Sequence, residues 1–165
     1  MGVSDSHTYG ATIEAVQAMF ADEAFIRAKY EGMGHREVEI TECTRTDDGL
    51  TIRSSRVVEI DLPGFAKRVM TPVNTVSQVD VWTSDGAGGW TGSFDVDVKG
   101  PPVRMSGTMT LTPGDGTCTH EVTMAMDVKM PIVGGKLRDW GEKNEVPQTL
   151  AAEFAAGDAW IAAHP

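Results

Sequence analysis

Trp90-Thr91-Gly92-Ser93-Phe94-Asp95-Val96-Asp97-Val98 alternates with a period of two, setting Trp90, Phe94, Val96 and Val98 against Thr91, Ser93, Asp95 and Asp97. Successive side chains of a strand point to opposite faces, so this stretch reads as a strand with one apolar and one wet face. Gly100-Pro101-Pro102 ends it. The next run repeats the pattern, with Val103, Met105, Met109 and Leu111 opposite Arg104, Ser106, Thr108 and Thr110. After the turn Pro113-Gly114-Asp115-Gly116, a third run sets Cys118, His120, Val122, Met124, Met126 and Val128 against Thr119, Glu121, Thr123, Asp127 and Lys129. Three consecutive runs of this kind describe an antiparallel meander covered on one side only.

The cover has to come from helices. Val133, Leu137, Trp140 and Gly141 form one stripe at helical spacing, and Leu150, Phe154, Gly157 and Ile161 form another. Pro147 lies between them and removes an intrahelical hydrogen bond, which predicts two helical pieces or one kinked helix.

Working toward the N-terminus, Ser84 to Gly89 is a glycine-rich loop. Val73 to Thr83 reads as a strand whose apolar residues Val76, Val79, Val81 and Trp82 keep no single phase, so its two faces stay unassigned. Before the Leu62-Pro63-Gly64 stop, Leu50, Ile52, Val58 and Ile60 share one strand face, and Ser54 and Arg56 fall on that same face. Thr46-Asp47-Asp48-Gly49 makes a hairpin turn to a strand beginning near His35, in which Val38 and Ile40 alternate with Glu37, Glu39 and Thr41. Upstream lie two short helices. Thr12 caps one carrying Ile13, Val16 and Phe20, and Asp22 caps another from Glu23 to about Met33. Val3 to Tyr9 is a weak first strand.

With 165 residues, 41% of them hydrophobic, the chain is long enough for one domain over 1–165 to bury its own core. No window approaches the roughly 18 apolar residues of a bilayer span, so no insertion into a membrane is expected. Met1 to Ser6 does not read as a secretory signal, which points to the cytoplasm, and no polybasic segment supports its loose myristoylation pattern. A formal charge of −10, from 24 acidic and 14 basic residues, opposes binding to nucleic acid. Cys43 and Cys118 lack CxxC spacing and read as buried thiols.

One strand, two short helices, a meander and a terminal helix is the order of the START-like (SRPBCC), helix-grip superfamily, which includes the birch-pollen allergen relatives. Leu62-Pro63-Gly64-Phe65-Ala66-Lys67-Arg68, Pro72-Val73-Asn74-Thr75-Val76, Trp82 and Pro131-Ile132-Val133-Gly134-Gly135-Lys136-Leu137 resemble an actinobacterial family of unknown function within it, from about Val3 to Ile161. The fold implied is α+β, a curved antiparallel sheet of about seven strands around a C-terminal helix, with two short helices after the first strand. The resemblance also implies a cavity for a hydrophobic ligand between sheet and helix. It implies no single activity and carries over no catalytic residue.

On this reading Phe94, Met105, Met109, Met124 and Met126 line the sheet side of the cavity, and Leu150, Phe154 and Ile161 the helix side. Methionine is unbranched and polarizable, which suits a deformable ligand wall and plain core filling alike. Arg56 is the most distinctive candidate, because an unpaired charge on an apolar face is expensive. It can hold a ligand carboxylate or phosphate, pair with Glu42, or be turned outward by a bulge. His7 and His120 also face inward, as polar contacts at a pocket or as satisfied core residues. Asp95 and Asp97 belong to solvent, and Gly86-Ala87-Gly88-Gly89-Trp90-Thr91-Gly92 fails the dinucleotide pattern at Thr91. The four histidines show no ligand spacing, so neither metal nor cofactor is expected.

The leading functional expectation is binding or carriage of a lipid-like or polyketide-like molecule without catalysis. Two alternatives stand beside it: a cyclase- or dehydratase-like enzyme using Arg56 or His120, and an interaction module whose cavity its own side chains fill.

Overall fold

The period-two runs become strands, and the polar caps start helices where they stand. The computed structural model describes residues 2–165, so Met1, where the opening stretch begins, lies outside the described residues. In chain order the elements are β1 (Val3–Tyr9), α1 (Ile13–Phe20), α2 (Glu23–Gly32), β2 (Arg36–Arg45), β3 (Gly49–Glu59), a 3-10 turn (Ala66–Arg68) and β4 (Val73–Ser84). Then come β5 (Trp90–Val98), β6 (Val103–Pro113), β7 (Cys118–Val128), α3 (Gly134–Trp140), a π turn (Gly141–Glu145) and α4 (Val146–Ala163). Thr12 Oγ1 accepts from the Ala15 N–H at 3.3 Å and Asp22 Oδ1 from the Ala24 N–H at 2.9 Å, each satisfying a donor that the first helical turn leaves free.

All seven strands form one curved antiparallel sheet in the order β1-β7-β6-β5-β4-β3-β2. The apolar faces of β5, β6 and β7 lie against the helices, and one core cluster joins Phe94, Val96, Leu111 and Val122 to Val16 of α1, Tyr30 of α2 and Leu150 of α4. Gly107 is required where the curve is tight, because a Cβ there would run into the Thr123 carbonyl and lie 2.8 Å from Phe94 Cζ. Asp95 and Asp97 point outward, with side chains more than half exposed, and Arg104 bridges both at 3.5 and 2.9 Å.

Two expectations change. Of the two forms expected for the tail, the divided one gives way to a single helical path, since Trp140, Gly141, Glu145 and Val146 all keep right-handed helical dihedrals through α3, the π turn and α4. A π turn widens the ladder by one residue, which leaves room for a proline in the first turn of α4, where its missing N–H and its ring do least damage. Cys43 is only half-buried, with its thiol 3.3 Å from the Ala21 carbonyl, while Cys118 is fully buried.

β4 now acquires its faces. Asn74, Val76 and Trp82 are buried and Gln78 and Asp80 half-buried on the inner side, while Val73 and Val81 are exposed on the outer. The apolar residues that broke the phase are the outward ones.

Candidate functional site

Beneath the helical path, the inner face of the sheet encloses a cavity lined along its length by β3 to β7, with α2 at one side and the first half of α4 as its roof. It offers about 150 Å³ to the centres of water-sized spheres. At roughly 10–15 Å³ per water on that measure, it admits on the order of ten waters or an organic molecule of similar bulk. Most of the wall is apolar, as in cavities that take drug-sized ligands.

The polar part of the wall is a chain of side chains from three elements. Arg56 on β3 is buried, with its Nε donating to His35 Nδ1 at 3.0 Å and one terminal nitrogen, Nη2, donating to Gln78 Oε1 at 2.9 Å. Gln78 Nε2 in turn donates to Asp80 Oδ1 at 2.8 Å. Strand register explains the assembly. Arg56 pairs with Val76, so Gln78 is its diagonal neighbour two residues along β4, and Asp80 follows on the same face. The guanidinium carbon lies 3.9 Å from the centroid of the Tyr30 ring, and the Lys29 ammonium lies 4.5 Å from the same ring. The other terminal nitrogen, Arg56 Nη1, is buried and has no protein partner.

Burial and these neighbours set the protonation states. Burial, with the Arg56 and Lys29 charges, lowers His35 to about 4, which suits an imidazole accepting from a guanidinium. Burial pushes the Asp80 carboxyl up, and Glu153 adds to this; Lys29, Arg56 and the Gln78 hydrogen bond oppose the rise without cancelling it. Burial works against the Lys29 ammonium, but Tyr30, Glu153 and Asp80 outweigh it and hold that group above its ordinary value. His120 sits on the opposite wall among Phe20, Trp82 and Phe154, at centroid distances of 5.3, 5.8 and 5.6 Å. It is lowered to about 3 by burial first, then by Lys29 and His7, and neither ring nitrogen has a protein partner.

The structure brings Arg56, Phe94, Met105, Met109, His120, Met124, Met126 and Leu150 onto the cavity wall. Phe154 and Ile161 are not on it. Phe154 stacks on His7 of β1 with centroids 5.1 Å apart, and one turn later Gly157 lets Tyr9 approach so closely that a Cβ would lie 2.5 Å from Tyr9 Cε1. The second half of α4 therefore seals the β1 edge, while Val146, Thr149, Leu150 and Glu153 of the first half face the cavity. His7 also belongs to that seal, with its Nε2 2.8 Å from Asp158 Oδ1. Glu42 pairs with Arg53 at 3.0 Å rather than with Arg56, and the register shifts fall in β2, so β3 keeps Arg56 inward. Sequence reasoning missed Lys29, Tyr30, His35, Gln78, Asp80 and Glu153. For Gln78 and Asp80 a signal existed, since Asn74, Val76, Gln78, Asp80 and Trp82 share one phase.

A family model described as a protein of unknown function, DUF2505, matches residues 4–161. The chain belongs to the DUF2505 family. No curated protein matches it. Among solved structures, it is similar to TTHA0849 from Thermus thermophilus, at 18% identity and a TM-score of 0.65, covering 100% of both chains. Norcoclaurine synthase from Thalictrum flavum matches at 14% identity and TM-score 0.57, over 99% of this chain and 87% of that one. A START superfamily protein from Mycobacterium smegmatis matches at 13% identity and TM-score 0.51, over 99% of both. Identities this low establish a START-like fold for this DUF2505 member and nothing beyond the fold.

Proposed function

We propose that this protein binds a small, largely apolar molecule, lipid-like or polyketide-like, whose polar end accepts a hydrogen bond from Arg56. The observation that carries this reading is Arg56 Nη1, a buried cationic donor with no protein partner in the polar part of a mostly apolar cavity wall. Leaving such a donor unmet costs about 1–3 kcal/mol or more, and an acceptor on the ligand recovers it. The four methionines of β6 and β7 on the wall, together with Phe94 and Leu150, support a surface that adapts to the apolar part. The open volume favours binding over an interaction module packed solid by its own side chains. His120 at about 3 is a weak general base near neutral pH, which weighs against the cyclase-like alternative built on that residue.

The test is a titration of delipidated protein with a fluorescent fatty acid, 11-(dansylamino)undecanoic acid, and with its alcohol analogue. Binding of the acid, weakened more than tenfold by Arg56→Met while the alcohol changes little, is the expected result. If neither probe binds and native mass spectrometry of protein purified without detergent shows a bare chain, the reading fails.

A further inference from the structure

We propose that the end of the sheet where β3 leaves for β4, β5 turns into β6 and β7 leads into α3 docks on an anionic lipid surface. The antiparallel order puts segments 60–72, 99–102 and 129–133 at this one end. Backbone hydrogen bonds tie them together, from Ile60 N–H to the Pro72 carbonyl at 2.7 Å, Lys99 N–H to that of Thr75 at 2.9 Å and Lys129 N–H to that of Pro102 at 3.0 Å. Among the described residues, three of the four exposed large apolar side chains lie here, Val69 at 40%, Val73 at 44% and Ile132 at 101% exposure.

Ile132 has a φ of 71°, the left-handed region that a β-branched side chain enters only against steric resistance. The fold thus holds an isoleucine fully in water on a strained backbone, giving up stability for a projecting apolar side chain. The charge pattern indicates what that side chain meets. Lys67, Arg68, Lys99, Lys129 and Lys136 are exposed on these segments and the first turn of α3, with the acid Asp61 among them and a second acid, Glu59, the register partner of Val73, at their edge. Lys129 also lies 4.0 Å from Asp127 of β7. At the opposite end the three hairpin turns carry Asp47, Asp48, Asp85 and Asp115 and no lysine or arginine. A chain of net charge −10 therefore presents one basic, apolar-tipped end.

Isolated apolar projections on a basic rim fit the headgroup region of an anionic bilayer better than the continuous apolar core of a protein interface. This is surface docking, and no described helix is long and apolar enough to cross a membrane. It stands on the surface alone, whatever the cavity holds.

Sedimentation of the full chain with vesicles of phosphatidylglycerol and phosphatidylcholine, against phosphatidylcholine alone, tests it. Binding to the anionic vesicles, falling steeply with added salt, is the expected result. The double variant Lys67→Glu/Arg68→Glu is expected to lose more than tenfold in partitioning. Ile132→Asn is expected to weaken binding while melting no lower than the parent, because asparagine tolerates the left-handed region; a merely structural role for Ile132 would lower the melting temperature instead. No binding to anionic vesicles at low salt, equal binding to neutral ones, or indifference to both variants overturns the proposal. Retention on polyglutamate without retention on vesicles overturns it in favour of an acidic protein partner.

Discussion

Replacing His120 with phenylalanine should make the protein less sensitive to acid. His120 is 7% exposed, ringed by Phe20, Trp82 and Phe154, and held at about 3 rather than the ordinary 6.5 by burial, with Lys29 and His7 adding to it. A histidine whose folded-state value is depressed stays neutral in the native state while the unfolded chain takes up a proton. Stability is therefore lost as pH falls from the unfolded value toward the folded one. A pH of about 5 lies roughly one and a half units below the unfolded value and still above the folded one, and about 1.4 kcal/mol per unit gives a penalty of about 2 kcal/mol. Phenylalanine cannot titrate and fills a similar aromatic volume, so the variant should lose that penalty. His35, lowered to about 4, contributes acid sensitivity of the same sign that the variant keeps.

Urea unfolding at about pH 7.5 and pH 5 measures the effect. The gap between variant and parent should widen by about 2 kcal/mol on acidification, which for a chain of this size is about 4–8 °C in melting temperature. At the higher pH the variant should already be at least as stable, since no protein atom partners either ring nitrogen of the parent. If the two proteins lose stability in parallel between these pH values, His120 is not held neutral by burial and the account of this wall is wrong.

Gly107→Ala should cost more than about 3 kcal/mol or prevent folding, because the added carbon meets the Thr123 backbone and the Phe94 ring, neither of which has room to yield. Gly141→Ala should cost less than about 1.5 kcal/mol, since its Cβ would meet the flexible end of Met126, 2.5 Å from Sδ, and urea melts of the pair give the comparison. Glu142→Ala removes the carboxylate that accepts from the Met126 N–H at 2.9 Å, and a loss of about 1–3 kcal/mol in chemical unfolding is the expected result. Gln78→Leu strips Arg56 Nη2 of its acceptor and Asp80 of its donor, so unfolding free energy should fall by about 2–4 kcal/mol, with near neutrality as the contrary outcome.

The fold was legible where one physical signal dominated. Alternation in Trp90–Val128 fixes three strands because their outer faces are wet, and Thr12 and Asp22 mark helix starts because a capping oxygen is needed there. At Pro147 two readings stood open, two helical pieces or one kinked helix, and the sequence does not show that a π turn just before the proline keeps the helical path continuous. The cavity wall was legible on the sheet, where a strand's phase assigns every second residue. It was less so on α4, because Leu150, Phe154 and Ile161 share a stripe but not a depth: the helix crosses from the cavity to the β1 edge within its own length. Lys29 and Tyr30 gave no signal, since which groups an α2 side chain meets depends on how the helix lies over β3.

β4 shows why the polar chain belongs to the design of this wall. A slip of one residue would turn Val73, Val79 and Val81 inward and Gln78 and Asp80 outward, but it would also turn Val76 and Trp82 out into water. The sheet forbids it. Pairing with β3 runs without interruption from Gly49–Thr83 to Glu59–Val73, and pairing with β5 from Val76–Val98 to Ser84–Trp90, so β4 is locked on both sides. Two valines stay exposed and a carboxyl is held above its ordinary value so that Gln78 can reach Arg56 and Asp80 can reach Gln78. The guanidinium is thereby oriented by Gln78, His35 and Tyr30 together, with one nitrogen left over. Orienting a buried donor this firmly restricts what can satisfy it: under the proposed function, an acceptor has to come to Nη1 from the side of the cavity that the methionines of β6 and β7 line.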